Sequence, residues 1–130
     1  MFFKSILLVP CLVVPSFQRF CFILGASGPR ITENPSSMTI AKNSPVTLSC
    51  KASGDPMPEI DWYKDGVRVQ TGPQTHRLLL GEGQLFFLRA MQSRKHDDAG
   101  VYWCVARNRY GQIKSKNATL TIAGKSMPMQ

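Results

Sequence analysis

The side chains of this 130-residue chain that could do chemistry point to a crosslink and not to a reaction. There are four cysteines and two histidines: Cys11, Cys21, Cys50, Cys104, His76 and His96. No serine or free thiol lies in a nucleophile motif, the aspartates fall in turn-like segments, and the ligands that a metal ion needs are not clustered. We therefore expect no catalytic residue, no metal and no cofactor, and a function in recognition.

Two of the cysteines have a spacing that predicts the fold. Cys50 and Cys104 lie 54 positions apart, with Trp62 between them and Tyr102 two positions before Cys104. This combination is typical of an immunoglobulin-like β-sandwich, where cysteines on strands B and F join the sheets, a tryptophan packs on the bridge, and a tyrosine forms the E–F corner. The sequence predicts an all-β fold with one inter-sheet disulfide, which closes a loop long enough to stabilise the domain by about 4 kcal/mol.

The elements that position these residues are short alternating strands. Val46, Leu48 and Cys50 alternate with polar residues, as in a strand with one buried face. A short C′ segment and the absence of a Phe-Gly-x-Gly bulge favour the intermediate (I-set) type of domain. We also expect Asp98 to pair with Arg77 at the start of strand D. The predicted strands are B (46–52), C (60–64), C′ (67–69), D (77–80), E (85–89), F (101–107) and G (113–122).

Three segments are expected along the chain. Residues 1–28 resemble a secretory leader, with Lys4 before the apolar run 6–14 and small residues at 25–28, although an uncleaved signal anchor is the alternative. Residues 29–123 form the domain, and residues 124–130 are a tail or the start of a linker, so the chain is either a secreted domain or part of a longer receptor. A leader and a disulfide both predict an extracellular protein.

Strand E departs from the pattern of alternating apolar and polar residues. Leu85, Phe87 and Ala90 are expected to point into the core, which leaves Phe86 and Leu88 facing outward. On the neighbouring strands, at least one of Leu78 and Leu80 joins them, beside Ser49 and Lys51. A contiguous apolar patch with charged edges is typical of a protein-binding surface. Two alternatives stay open, since a neighbouring domain could cover the patch, and a register shift of one residue would reverse every face.

The predicted domain is basic, because 14 lysines and arginines face 8 aspartates and glutamates from Pro29 onward, a net charge of +6. Arg89, Arg94 and Lys95 cluster after strand E, and outside the cell such a cluster predicts a sulfated glycosaminoglycan as partner and not nucleic acid. Asn117-Ala118-Thr119 is a glycosylation acceptor, with Asn117 as the modified residue.

Several segments together resemble the first immunoglobulin domain of the Roundabout axon-guidance receptors: 60–64 (IDWYK), 76–80 (HRLLL), 85–89 (LFFLR) and 101–108 (VYWCVARN). The resemblance implies binding of the secreted leucine-rich-repeat ligand Slit, assisted by heparan sulfate. It assigns the ligand-facing surface to Glu33, Lys51, Leu78, Phe86, Leu88 and Arg89. It assigns the heparan sulfate site to Arg94 and Lys95, with Arg89 adjoining. Ser49 and Leu78 depart from the residues that are common in relatives.

Two other classes of function remain open at this point. A homophilic or structural adhesion module would pair the patch with itself or with a following domain, giving a weak homophilic contact. An intracellular muscle-type immunoglobulin module would carry free thiols at Cys50 and Cys104, which the leader, the glycosylation acceptor and the expected disulfide disfavour.

Overall fold

The computed structural model describes residues 11–13, 19–21 and 26–124. Within them the secondary structure is β throughout, and no helix is long and apolar enough to cross a membrane. The predicted leader is only partly described: β1 pairs with β2, and residues 27 and 28 begin β3, so its role stays a prediction. The strands are β1 (Cys11–Val13), β2 (Arg19–Cys21), β3 (Ser27–Glu33), β4 (Met38–Ala41), β5 (Val46–Leu48), β6 (Lys51–Asp55), β7 (Glu59–Lys64), β8 (Val67–Arg68), β9 (Arg77–Leu80), β10 (Gln84–Phe87), β11 (Gly100–Asn108), β12 (Gly111–Lys114) and β13 (Ala118–Ala123).

The strands from β3 onward form the two layers of a sandwich. One layer contains the ladder β5–β10–β9, and it continues into the separately paired β3–β6, because β6 follows β5 after only two residues. The other has the order β4–β13–β11–β7–β8, with β12 also paired to β11 and with β4 parallel to β13. The sequence predicted strand B as one element over 46–52, whereas the structure divides it into β5 and β6. The division falls where the chain changes partner, from β10 to β3.

The core lies between the layers and is built around the Cys50–Cys104 disulfide, whose Cα atoms are 6.5 Å apart. Trp62 lies directly opposite Cys104 on the neighbouring strand and is buried with it. Phe87 from the other layer meets the Tyr102 ring edge-on, with centroids 5.8 Å apart. The predicted all-β immunoglobulin-like fold with an inter-sheet disulfide is therefore confirmed.

Asp98 fixes the corner that precedes β11. Its carboxylate is buried and accepts hydrogen bonds from His76 Nε2 at 2.7 Å, the Met91 amide at 2.7 Å and Arg77 Nη1 at 3.3 Å. Its carbonyl accepts the Tyr102 hydroxyl at 2.6 Å. The predicted Asp98–Arg77 pair and the tyrosine corner are both present. Burial, and secondarily the Asp98 charge, raise the pKa of Tyr102 well above its usual range, so the hydroxyl stays a donor.

Strand G was predicted as one element over 113–122, and here the structure again has two strands. Ser115 lies between β12 and β13, where its amide donates to the Cys104 carbonyl at 2.8 Å and its hydroxyl accepts the Cys104 amide at 2.9 Å. A side-chain hydroxyl thus replaces a backbone carbonyl in the ladder, and the regular pairing is interrupted.

The tight turn at Asp65–Gly66, between β7 and β8, is as predicted, with φ values of 48° and 91°.

Candidate binding surface

The register of the β5–β10–β9 ladder decides which side chains leave the core. Phe86 lies opposite Thr47 on one side and Leu78 on the other, while Leu85 lies opposite Leu48. Directly opposed residues share a face of the sheet. Since Leu85 and Leu48 are buried, Phe86 and Leu78 must point outward. The predicted register is therefore correct, and the alternative of a shift by one residue is excluded.

The outward apolar surface is continuous across the two strands. Leu78 and Phe86 are half-buried beside one another, and Leu80 follows two residues further along β9 with 39% of its surface exposed. Leu88, just after β10, is 53% exposed. We call Leu78, Leu80, Phe86 and Leu88 the outer patch. Adjacent leucine and phenylalanine side chains that are exposed or only half-buried on one outer sheet face are expected at a protein interface and not on a solvated surface.

A pair of charges lies on the same layer, on the β3–β6 pair. Glu33 and Lys51 are directly opposed, and their charged atoms are 3.7 Å apart. Both side chains are about half exposed, so this ion pair contributes less than about 1 kcal/mol. The ion pair can therefore break, and each group can bind an opposite charge on a partner, at little cost in free energy. Ser49, between β5 and β6, is half-buried.

The basic cluster is presented by the connection from β10 to β11. Arg89, Arg94 and Lys95 are all exposed, and none of them makes an ion pair with the residues that the structure describes. Arg94 and Lys95 lie within a turn that is closed by the Ser93 amide donating to the His96 carbonyl at 2.6 Å. These cations are therefore free to bind an anionic partner.

Several other cations are already engaged. Asp61 receives Arg68 at 2.8 Å and Arg107 at 3.0 Å, and Lys114 Nζ lies 4.6 Å from the centroid of the Trp103 ring. The structure thus shows which of these positive charges are already paired, and the sequence alone could not show this. Within residues 26–124, no group of three or more acidic, histidine or cysteine side chains could hold a metal ion.

Two features of the structure were missed by reasoning from sequence. His76 belongs to the buried Asp98 corner, a role that its place two residues before a predicted strand does not reveal. A lateral cleft beside β9 was also missed, because its lining comes from segments that are distant in sequence. The predicted acceptor Asn117 is exposed, and its side-chain oxygen accepts a hydrogen bond from Lys114 at 3.0 Å. Its glycosylation stays a prediction.

Comparison with known proteins agrees with this geometry. The profile described as Immunoglobulin domain matches residues 28–108. The chain belongs to the immunoglobulin domain family. Immunoglobulin domains of this kind are non-enzymatic, in agreement with the prediction of recognition without catalysis.

Individual relatives show which immunoglobulin domains this chain is similar to. The chain is 52% identical to Roundabout homolog 1 of Homo sapiens over 99 residues, which are 73% of this chain and 6% of that protein. It is 36% identical to Protein sax-3 of Caenorhabditis elegans over 126 residues, which are 92% of this chain and 10% of that protein. The tandem immunoglobulin repeats of Dlar superpose with a TM-score of 0.66 at 32% identity, covering 75% of this chain and 47% of that one. The resemblance to an immunoglobulin domain of a Roundabout receptor is confirmed, and the chain spans a small part of the relatives it matches.

Proposed function

We propose that this immunoglobulin domain is an extracellular ligand-binding module of an axon-guidance receptor. Its ligand is the secreted leucine-rich-repeat protein Slit, and heparan sulfate assists binding. The outer patch carries the proposal, because Leu88 is exposed and Phe86 only half-buried on the outer face of a sheet whose inner face buries Leu48, Leu85 and Phe87. The likeness to Roundabout homolog 1 supports the choice of ligand class.

The surroundings of the patch fit a large protein partner. The Glu33–Lys51 pair lies on the same layer, and its weak mutual attraction leaves both charges available to the ligand. An apolar centre with a polar, charged rim is the usual composition of a protein interface. Glu33, Lys51 and Arg89 therefore act as rim residues, and Leu78, Phe86 and Leu88 form the apolar centre.

The basic cluster gives heparan sulfate a separate role. Arg89, Arg94 and Lys95 are exposed and uncompensated, so a polyanion can contact them together. Arg89 directly follows Leu88 of the outer patch, so one glycan chain could lie beside a docked protein and contact both. Heparan sulfate would then raise the affinity for Slit without covering the apolar centre.

Surface plasmon resonance over an immobilised second leucine-rich-repeat domain of Slit tests both parts. Leu88→Ser should weaken binding by about tenfold or more, as expected for an interface centre. Val67→Ser is the matched control, because Val67 is an exposed apolar residue of the other layer, and it should leave binding unchanged. Arg94→Ala with Lys95→Ala should remove the enhancement by added heparin, whereas Lys114→Ala with Lys116→Ala should keep most of it.

Unchanged binding by Leu88→Ser would refute the docking surface. If wild-type protein fails to bind Slit but forms a concentration-dependent dimer in sedimentation, the outer patch serves homophilic adhesion instead. A heparin effect that is equal in both double variants would show that general positive charge, and not this cluster, attracts the polyanion.

A further inference from the structure

A cleft of about 450 Å³ opens at the side of the sandwich, where β9 is the edge of its sheet. Its floor includes Ile60 and Leu79, and Met57 stands at its mouth with 69% of its surface exposed. Leu79 lies opposite the buried Leu85 and so points toward the opposite layer, yet it is 46% exposed. The two layers therefore leave an inward-facing leucine uncovered at this edge.

One wall of the cleft is held to the core by a buried hydrogen bond and close packing. The turn between β9 and β10 is held by Trp62, whose indole Nε1 donates to the Gly83 carbonyl at 2.9 Å. Gly83 has a φ of 132°, and a Cβ there would lie 2.8 Å from Ile60. The turn is thus locked against the core by a contact that only glycine permits. A preformed cleft loses little conformational entropy when it accepts a side chain.

The rim of the cleft is acidic although the domain is basic. Glu59, Asp61 and Glu82 line it. Asp61 is neutralised by two arginines, and Glu59 is paired with Arg107 at 3.3 Å. Glu82 is exposed and makes no ion pair with the part of the chain that the structure describes. An uncompensated carboxylate above apolar walls fits a side chain with an aliphatic stem and a cationic head.

The cleft is continuous with the outer patch around the edge of β9. Leu79 faces the cleft, and the next residue, Leu80, belongs to the outer patch. A protein docked on the outer patch needs only to follow this edge to reach the cleft. We infer that the cleft is a second subsite for the same protein ligand and accepts an arginine or lysine, with its stem on Leu79 and Met57 and its charged head at Glu82. This inference rests on the proposed function.

Glu82→Gln tests the subsite, because it removes the charge and keeps the size and polarity of an exposed residue. Binding to the immobilised second leucine-rich-repeat domain of Slit should weaken about three- to tenfold, as for loss of a partly screened charged contact. Thr121→Lys is the control, since it also raises the net charge by one, at an exposed site on β13 of the other layer. It should change the affinity less than twofold. Leu79→Ser should weaken binding as well, through loss of contact with the stem.

The outcomes separate this inference from the proposed function. If Leu88→Ser abolishes binding but Glu82→Gln and Leu79→Ser bind like wild type, the outer patch is the docking site and the subsite is refuted. Equal losses in Glu82→Gln and Thr121→Lys would also refute it, because long-range charge alone would then explain the effect. If Leu88→Ser binds normally, the proposed function fails and the subsite fails with it.

Discussion

Replacement of Asp98 by asparagine should cost this domain more stability than any other conservative change of a charged residue. The buried carboxylate accepts hydrogen bonds from His76, Arg77 and the Met91 amide, and thereby joins the start of β9 to the loop before β11. The amide oxygen of asparagine can still accept from Met91. In that orientation the same oxygen also accepts from His76, and the NH₂ group faces Arg77 Nη1, so Arg77 loses its acceptor.

The size of the loss follows from burial. Removing one partner of a buried ion pair costs about 3–5 kcal/mol, because the other charge stays uncompensated. The Arg77 side chain is 21% exposed and can regain some water, so we expect about 2–4 kcal/mol. For a domain of this length, that loss lowers the melting temperature by about 10 °C or more. Because a small domain is stabilised by only about 5–15 kcal/mol, the variant should fold but unfold at clearly lower urea concentration.

Urea denaturation followed by tryptophan fluorescence measures this loss, with Asp97→Asn as the control. Asp97 is exposed, and among the described residues its carboxylate accepts only the Ala99 amide, which an asparagine oxygen can also do. The control should lie within about 0.5 kcal/mol of wild type. If Asp98→Asn lies equally close to wild type at an unchanged m-value, the buried carboxylate does not hold the corner together and the reasoning is wrong.

Two further predictions concern hydrogen bonds at the start of β11. Tyr102→Phe removes the donor to the buried Asp98 carbonyl and should cost about 1–3 kcal/mol in the same urea assay; a loss below about 0.5 kcal/mol would contradict this. The Val101 amide, and less strongly Lys64, hold the pKa of Asp65 below its usual value. Ionised Asp65 therefore stabilises the fold at pH values above the pKa that it has in the unfolded chain. This contribution is lost as the pH falls through the lowered pKa of the folded state. Asp65→Asn should therefore be less stable than wild type at pH 7, by less than about 1 kcal/mol because the side chain is exposed, and should match it near pH 2; a constant difference at both pH values would contradict this.

The sequence determines much of this fold because one inward residue sets the register of its strand. Cys50 must face its partner Cys104, so alternation fixes Val46 and Leu48 as core residues and Lys51 as exposed. The spacing on strand E then exposes Phe86 and Leu88 without any knowledge of the neighbouring strand. Local periodicity is sufficient wherever the property in question is the direction of a side chain.

Properties that depend on two distant segments could not be read in this way. Strand B divides at Ser49–Cys50 because its first half pairs with β10 and its second half with β3. The point of division depends on where those two strands lie and not on the residues of strand B. The cleft beside β9 is lined by residues 57–61 together with Leu79 and the turn between β9 and β10, which are distant in sequence. The role of His76 requires Asp98, 22 positions away, to lie within 2.7 Å of its ring.

The two outer faces of the sandwich differ in how many of their side chains already make contacts with one another. On the β7–β11–β12 face, Tyr63 and Trp103 stack with centroids 6.0 Å apart, and Lys114 covers the Trp103 ring. Asp61 on the same face compensates two arginines. A partner docking there would have to break contacts that are already made.

The opposite face offers its side chains uncompensated. Leu88 is 53% exposed, Glu82 has no ion pair among residues 26–124, and the Glu33–Lys51 pair is weak. The free energy of binding is most favourable on a face whose side chains make few contacts in the free protein, because binding there replaces only water. The asymmetry between the faces therefore favours one docking surface on this domain and explains why substitutions on β8 or β12 should leave ligand binding intact.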